Sequence, residues 1–330
     1  MLTEKAWRRD LIAQRRTRCA VPTDSQERFH TGPSNTPLAE LRTGEPIVTK
    51  DWYDVLHRSN EESPSILKMR AAFARGVSHI GQFSWVTTND LDRLILELGI
   101  GRESRVLDLC CGCGGPLLYI ASQTGCAATG VDISSYATAS AAEKALALGL
   151  EDRITFVCAN AGSIPLATET FASIISFGAF INIRDRLSLL RECNRVLRPG
   201  GFLAFFDQIS YDSFGEGEAI PPEIFDSLSV FVPHYFLTPS SYSRLLSDAG
   251  FESVKVTDRT AQYAAVNQAW MRAFEEVWDD LVREHGKARI ECEYDYLRIL
   301  DELATNQQAG EALFVGTKPL RRNSGWLKTS

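Results

Sequence analysis

The sequence lacks both a long apolar run and an excess of positive charge. No stretch of its 330 residues approaches the ~20 consecutive apolar residues that a membrane-spanning helix requires. The chain holds 35 Lys and Arg against 42 Asp and Glu, which gives a formal net charge of −7. Because phosphates are bound by clustered cations, this balance argues against nucleic acid or an anionic membrane as the main partner.

Histidine is scarce, and the cysteines do not form the pairs of a zinc site. The chain has 5 His and 8 Cys, of which Cys110, Cys111 and Cys113 are close neighbours. Structural zinc sites combine a close pair of ligands with a second, distant pair. The sequence offers no second pair, so we predict no metal and interpret the three cysteines as small residues in a tight turn.

The amino-terminal segment lacks the apolar stretch of a signal peptide. Acids such as Glu4 and Asp10 interrupt its basic residues, which argues against a transit peptide. Residues 1–45 also carry prolines among Ser, Thr and Gly, and this composition predicts a partly flexible arm. With no export signal we expect reduced thiols and a cytoplasmic location.

The most informative pattern in the chain is a strand, a loop of small residues and a helix. The apolar run Val106 to Leu109, which contains Asp108, precedes the small residues 110–115, and a helical pattern begins at Pro116. Such a run is typical of a buried parallel strand, and proline fits the first turn of a helix. An acid beside the loop disfavours a phosphate, so this turn suits a cationic or hydroxyl-bearing ligand.

Six further strands are predicted along the chain. They cover residues 126–132, 154–158, 171–177, 202–207, 251–257 and 312–317. The second ends in Asp132, and Asn160 follows the third. In an open α/β sheet, an acid at the tip of the second strand reaches the ribose hydroxyls of a bound nucleoside. The order of elements therefore predicts an α/β fold that binds a nucleoside at the strand ends.

Four ordered signatures stand at these strand ends. They are Asp108-x-Cys-x-Gly-x-Gly, Gly130-Val-Asp, Asn160-Ala-x-x-Ile-Pro and Arg195-Val-Leu-Arg-Pro-Gly-Gly. With them, the stretch from about Val106 to Asp207 resembles the class I S-adenosylmethionine (SAM)-dependent methyltransferases. The resemblance is to the small-molecule group that includes quinone C-methylases and the sarcosine, phosphoethanolamine and tocopherol methyltransferases.

Two residues depart from the pattern of that family. The chain has Cys110 where the family usually has Gly, and Asn160 where it usually has Asp. Asparagine still offers a carbonyl acceptor to an adenine amino group, but it gives up a charge-assisted hydrogen bond. The resemblance therefore predicts SAM binding with reduced affinity.

The resemblance implies a Rossmann-like α/β fold with additions. We expect a seven-stranded, mostly parallel sheet with helices on both faces, an N-terminal helical lid and helical cap insertions. After the arm at residues 1–45 come a lid at 46–100 and a SAM-binding domain at 101–330. Within that domain we expect a cap at about 208–240 and a helical insertion at about 262–306, broken at Gly286. Trp270, Phe274 and Trp278 share one face of the insertion.

The cofactor site follows from the resemblance. SAM is the implied cofactor and S-adenosylhomocysteine (SAH) the product. Asp108 is expected at the amino-acid end, Asp132 at the ribose, and Asn160 and Ala161 at the adenine edge. Further contacts are expected from Cys110, Gly112, Gly114, Ile133 and Phe177.

The acceptor site is expected in the segments that flank the core. Their aromatic character predicts a small-molecule acceptor with an apolar or aromatic body. The residues expected around it are Phe83, Trp85, Phe180, Asn182, Tyr211, His234, Tyr235 and Phe236. We also expect Asp207, at the tip of the fifth strand, to face the acceptor. His234 is the candidate general base, and a purely structural histidine is the alternative. The sequence leaves open whether N, O or C is methylated and whether the chain is a homodimer.

Three other functions remain open from the sequence. A SAM-binding cyclase or isomerase would share the same core and differ only in product mass. A protein-tail methyltransferase is a second alternative, although an aromatic, proline-rich cap favours an enclosed pocket. An NAD-dependent Rossmann enzyme is the third, and both Asp108 and the absence of a GxGxxG motif count against it.

Overall fold

Seven apolar segments form the strands of one sheet. The computed structural model describes residues 50–78, 80–82, 84–211 and 234–321. Its strands are β1 (Arg105–Leu109), β2 (Ala127–Asp132), β3 (Ile154–Cys158), β4 (Phe171–Phe177), β5 (Leu197–Ser210), β6 (Glu252–Asp258) and β7 (Ala309–Thr317). Their order is β3-β2-β1-β4-β5-β7-β6, with β1 to β5 parallel and β7 antiparallel to both neighbours. This confirms the predicted seven-stranded, mostly parallel sheet.

Strand β5 extends beyond its predicted end. It pairs with β7 without interruption from Phe202, opposite Thr317, to Ser210, opposite Ala309. The sequence predicted an end at Asp207. The antiparallel partner continues the hydrogen-bonded ladder past that point. Asp207 therefore lies inside the strand and not at its tip.

Ten helices surround the sheet in the described part of the chain. They are α1 (Lys50–Glu62), α2 (Pro64–Ala74), α3 (Thr88–Leu98), α4 (Gly115–Thr124), α5 (Ser135–Ala147), α6 (Arg186–Val196), α7 (Pro239–Asp248), α8 (Thr260–Glu276), α9 (Trp278–His285) and α10 (Lys287–Thr305). The Thr238 hydroxyl caps α7 by accepting a hydrogen bond from the Ser241 amide at 3.1 Å. The predicted insertion corresponds to α8, α9 and α10, with the expected break at Gly286 and a second break at Val277.

Side chains of the sheet alternate between two apolar layers. In β1, Val106 belongs to the layer packed by α3, α4 and α5, whereas Leu107 and Leu109 belong to the layer packed by α6 and α7. A third apolar cluster joins α2 to α8, α9 and α10 beyond the sheet. The insertion thus packs against the amino-terminal helices, and cavities form where this third cluster meets the ends of the strands.

Several predicted features lie outside the described residues. These are the arm at residues 1–45, Phe83, and residues 212–233 of the predicted cap. Within the described ranges, no helix is both long and apolar enough to cross a membrane.

Candidate functional site

The loop between β1 and α4 is held in a conformation that only small residues fit well. Gly112 has a φ of +51°, and a Cβ there would lie 3.1 Å from the His57 ring. At Gly115, a Cβ would lie 2.2 Å from the Ile80 carbonyl oxygen. Cys110 also has a positive φ, of +61°, a conformation that glycine adopts at no steric cost.

A cavity of about 320 Å³ opens beside this loop, at the carboxyl ends of the strands. Most of the predicted cofactor residues line it, namely Asp108, Cys110, Gly112, Asp132, Ile133, Asn160, Ala161 and Phe177. Gly114 does not line the cavity. A Cβ at this position would lie 3.0 Å from Ala141 and 3.2 Å from Phe156, so the residue faces α5 and β3. Gly114 instead allows α4 to pack closely against α5 and β3. The structure therefore does not support its predicted contact with the cofactor.

Two buried carboxylates define the polar side of this cavity. Asp132 accepts hydrogen bonds from the amides of Gly112 and Ser134, at 2.8 and 2.9 Å. Asp108 is only 2% exposed, and it lines the cavity. Burial, and then the charge of Asp132, raises the pKa of Asp108 well above its ordinary value. A cation beside Asp108 would stabilise its ionised form. The two carboxyl groups therefore suit a ligand with an ammonium group and hydroxyls.

Asn160 is oriented by its own turn. Its side-chain oxygen accepts a hydrogen bond from the Gly162 amide at 2.8 Å. This Asx turn uses one lone pair and leaves the second for a ligand. The residue lines the cavity, and its contact with an adenine amino group remains a prediction.

Helix α1 covers the same cavity, and the sequence reasoning named none of its residues. Tyr53, Leu56 and His57 line the cavity. Asp54 holds the helix in place by accepting hydrogen bonds from the Ser135 hydroxyl and the Tyr136 amide, both at 3.0 Å. The three-to-four-residue spacing of these side chains marks one helix face. That spacing could have identified the face, but not the surface that it covers.

The electrostatics of α1 favour an uncharged imidazole at the loop. Burial lowers the pKa of His57, although the nearby carboxylates of Asp132 and Glu61 oppose the shift. Its Nδ1 lies 3.8 Å from the Cys113 sulfur. Glu61 forms an ion pair with Lys144 on α5, at 2.6 Å. This ion pair and the hydrogen bonds of Asp54 both join α1 to α5.

A second cavity, of about 180 Å³, adjoins the first. Aromatic side chains from the amino-terminal helices and the insertion form much of its wall, namely Trp52, Trp85, Trp270, Phe274 and Tyr296. Six residues line both cavities, namely Tyr53, Leu56, Arg70, Ser84, Gly178 and Asn182. The two spaces therefore meet at the Gly178–Asn182 turn after β4, with Ser84 opposite. We name them the polar cavity and the apolar cavity.

Three of the predicted acceptor residues line the apolar cavity. They are Trp85, Asn182 and His234, and the first donates its indole N–H to Asn267 at 3.3 Å. His234 Nε2 lies 2.9 Å from the Tyr296 hydroxyl. The candidate base thus lies in the cavity wall with a phenol as its neighbour. Its role in proton transfer stays a prediction.

The structure places other predicted acceptor residues elsewhere. Phe180 is fully buried and packs against Phe205, with ring centroids 4.7 Å apart. Phe236 is 2% exposed within the third apolar cluster, and the Tyr211 hydroxyl bonds to Thr260 at 2.6 Å. Tyr235 lines neither cavity. Aromatic character alone did not separate core residues from pocket residues.

Asp207 also lies away from both cavities. It is fully buried inside β5 and accepts hydrogen bonds from the Ile181 amide, at 3.1 Å, and from the Tyr242 hydroxyl. Burial raises its pKa to about 6, although the Arg186 charge opposes the shift. Its predicted contact with the acceptor is wrong, because β5 continues three residues beyond it.

The loop cysteines carry free thiols. Cys111 and Cys113 are buried, and burial raises the pKa of both thiols. Across the described ranges, no three His, Cys, Asp or Glu side chains gather in a group that could hold a metal ion.

Comparison with known proteins decides the family. The methyltransferase domain family matches residues 106–201, which include the loop after β1, strand β2 and the predicted cofactor residues that line the polar cavity. The chain is 30% identical to methyltransferase GfsG of Streptomyces halstedii over 56% of its length, and 31% identical to sarcosine/dimethylglycine N-methyltransferase of Halorhodospira halochloris over 51%. Residues 106–201 of this chain form a methyltransferase domain of the class I SAM-dependent type. The chain spans 66% and 58% of the length of these two relatives.

Solved structures share the fold of this chain. The [4+2]-cyclase SpnF superposes with a TM-score of 0.66 at 20% identity, over 84% of this chain and all of the other. A cyclase with the same architecture shows that the fold by itself does not fix the reaction. The reaction has to be argued from the two cavities.

Proposed function

We propose that this methyltransferase transfers the methyl group of SAM to a small-molecule acceptor with an apolar or aromatic body. The observation that carries this proposal is the junction of the two cavities at Gly178, Ser84 and Asn182. One cavity has the carboxylates and polar loop that suit SAM, and the other has an aromatic wall. Ligands in both would meet at the junction, which is the arrangement that direct transfer between them needs.

The residues of the polar cavity fit the cofactor. Asp108 would hold the ammonium group of SAM, and Asp132 would hold the ribose hydroxyls. Asn160 and Ala161 would contact the adenine. The buried Asp108 carboxyl, whose pKa is raised by burial and then by the charge of Asp132, supports this assignment most strongly. When bound, SAM supplies an electrophilic methyl group on a sulfonium.

The protein would contribute alignment, exclusion of water and the handling of one proton. Helix α1 lies over the polar cavity and we propose that it acts as the lid of the predicted 46–100 segment. Proximity and orientation can lower a barrier by ~7–11 kcal/mol in favourable cases. His234, with Tyr296 beside it, is the group placed to take a proton from an acceptor O–H or N–H. We further propose that the enzyme acts in the cytoplasm, where free thiols such as those of the described cysteines persist.

Two measurements test the proposal. Calorimetric titration should show binding of SAM and SAH and none of NAD. Incubation with SAM and a panel of apolar alcohols, phenols and amines should give SAH together with a product that is heavier by one methylene unit. A product of unchanged mass, formed only when SAM is present, would instead show a cyclase or isomerase. Asp108→Asn should weaken SAM binding without unfolding the protein, because it keeps the size of the side chain.

A further inference from the structure

Three buried polar atoms in the wall of the apolar cavity lack hydrogen-bond partners within the described part of the chain. They are Gln208 Oε1, Asn60 Nδ2 and Ser84 Oγ. Their residues are 3%, 6% and 8% exposed, and all three line the cavity. Buried polar groups are nearly always bonded, because an unmade bond lowers stability. Three such atoms around one cavity indicate a polar ligand there.

The Gln208 side chain is held by its surroundings. It lies on β5, opposite Glu311 of β7, and its side chain hydrogen-bonds the phenol of Tyr296. Burial raises the pKa of the phenol, and the bond to Gln208 opposes that shift. Because Gln208 Oε1 has no partner within the described residues, the amide N–H is the donor. The amide oxygen is then left fixed in place without a donor of its own. A fixed acceptor of this kind can position a ligand group that carries a proton.

The charges in the wall of the apolar cavity are already paired. Arg70 contacts Glu61 at 3.2 Å, and Arg289 contacts Glu293 at 2.8 Å. A carboxylate or phosphate on a ligand would have to compete with these glutamates for its cation. Transfer of an uncompensated charge out of water is costly, so this wall favours a neutral ligand.

We propose that the apolar cavity recognises an uncharged, hydroxyl-bearing acceptor, and that Gln208 and Asn60 are its positioning residues. The inference rests on the proposed function, which assigns this cavity to the acceptor. A hydroxyl can donate to Gln208 Oε1 and accept from Asn60 Nδ2, while Ser84 serves either role. The aromatic wall covers the rest of the molecule. Zwitterionic acceptors such as sarcosine do not suit this arrangement.

A matched series of ligands tests this recognition. The probes are 2-naphthol, 2-methoxynaphthalene, which lacks the hydroxyl proton, and 2-naphthoate, which adds a charge. Binding to the SAH-loaded protein is measured by calorimetry. We expect 2-naphthol to bind roughly tenfold or more tightly than either analogue, which is about the effect of one hydrogen bond to a buried group. Equal or tighter binding of 2-naphthoate, or no binding of 2-naphthol, would overturn the proposal.

Two variants assign the effect to Gln208. Gln208→Met also removes the hydrogen bond to Tyr296, so its folding is checked by thermal unfolding. In the folded variant the preference for 2-naphthol over 2-methoxynaphthalene should be abolished. Gln308 is the control, because its Oε1 also lacks a partner within the described ranges while the residue lines neither cavity. Gln308→Met should leave 2-naphthol binding unchanged. A Gln208→Met protein that is less stable yet binds 2-naphthol normally would show a structural role and refute the proposal.

A separate readout distinguishes this inference from the proposed function. Methyl transfer from SAM to 2-naphthol is followed by product mass. Selective binding of 2-naphthol, with no transfer to it or to any alcohol in the panel, would contradict the proposed methyl transfer and leave the recognition intact. Transfer to 2-naphthol, together with a binding preference that Gln208→Met leaves unchanged, would support the proposed methyl transfer and contradict recognition by Gln208.

Discussion

At the scale of single residues, the molecule places unusual side chains where a ligand can compensate them. The Asp108 carboxyl is buried near the charge of Asp132, and Gln208 Oε1 is buried without a hydrogen-bond donor among the described residues. Such groups lower the stability of the free protein and gain their partners on binding. The sequence motifs identified Asp108 and Asp132, because a motif at a strand end is local. Gln208 and Asn60 belong to no motif, and only the packing of distant helices shows that they face one cavity.

The first prediction concerns Asp132. Asp132→Ala should weaken SAM binding by about 1.5–3 kcal/mol, the range for hydrogen bonds to a charged group. It also removes the acceptor of the Gly112 and Ser134 amides, so the loop should lose order. Calorimetry measures the affinity, and Asp152→Ala, an exposed acid away from the cavity, is the control. Unchanged affinity for SAM would refute the placement of the ribose.

The second prediction concerns the backbone at Cys110. Its positive φ is strained for any side chain, most of all for a β-branched one. Cys110→Gly should change the free energy of unfolding by less than about 1 kcal/mol, because relief of strain offsets the lost thiol contacts. Cys110→Val should lower it by about 1–3 kcal/mol. Denaturant unfolding measures both, and a valine variant as stable as the glycine variant would contradict the strain.

At the scale of elements, α1 and the insertion complete a site that the sheet only begins. The strands were predictable because burial patterns and loop residues are local signals, but the end of β5 was not, because its antiparallel partner β7 extends it. The way in which α1 and α10 cover the strand ends was not predictable from the sequence. Helix α1 is held by contacts with α5, and α10 by contacts with α8 and β7, and these contacts join distant parts of the chain. The predicted aromatic acceptor residues divided between core and cavity for the same reason. Phe180 and Phe236 pack inward, and the aromatic stripe of α8 supplies Trp270 and Phe274 instead.

The third prediction tests α1 as a cover. Asp54→Ala removes its hydrogen bonds to Ser135 and Tyr136, so the helix should leave the polar cavity more often. We expect SAH to dissociate several-fold faster, with little change in the unfolding temperature of the ligand-free protein. Stopped-flow displacement measures the rate. Asp51→Ala, on the same helix but outside the polar cavity, is the control. Equal effects of the two variants would contradict the role of Asp54 in holding α1 over the cavity.

At the scale of the whole molecule, buried charge links stability to pH. Arg259 contacts Asp90 at 2.7 Å and Glu311 at 3.8 Å, and all three residues are less than a tenth exposed. Burial raises the pKa of Glu311 to about 8, although Arg259 opposes the shift. One guanidinium between two acids compensates only one of them, so the cluster keeps a proton that the unfolded chain releases.

The fourth prediction follows from that proton. Between pH 4.5, the ordinary pKa of Glu311, and about pH 8 the folded state binds more protons than the unfolded state. Stability from this group therefore falls as the pH rises through that window. Glu311→Gln removes the titration, so the variant should gain stability relative to the wild type as the pH rises. Thermal unfolding across the window measures this, and a constant difference between the two proteins would contradict the raised pKa.

The central claim is that the polar cavity holds the cofactor and directs its sulfur toward the apolar cavity. A crystal structure of the complex with SAH tests it most directly. We predict the SAH ammonium within ~3 Å of Asp108 and the ribose hydroxyls at the same distance from Asp132. The sulfur should face Gly178 and Ser84, where the two cavities meet. SAH bound elsewhere, or bound here with its sulfur turned away from that junction, would contradict the account.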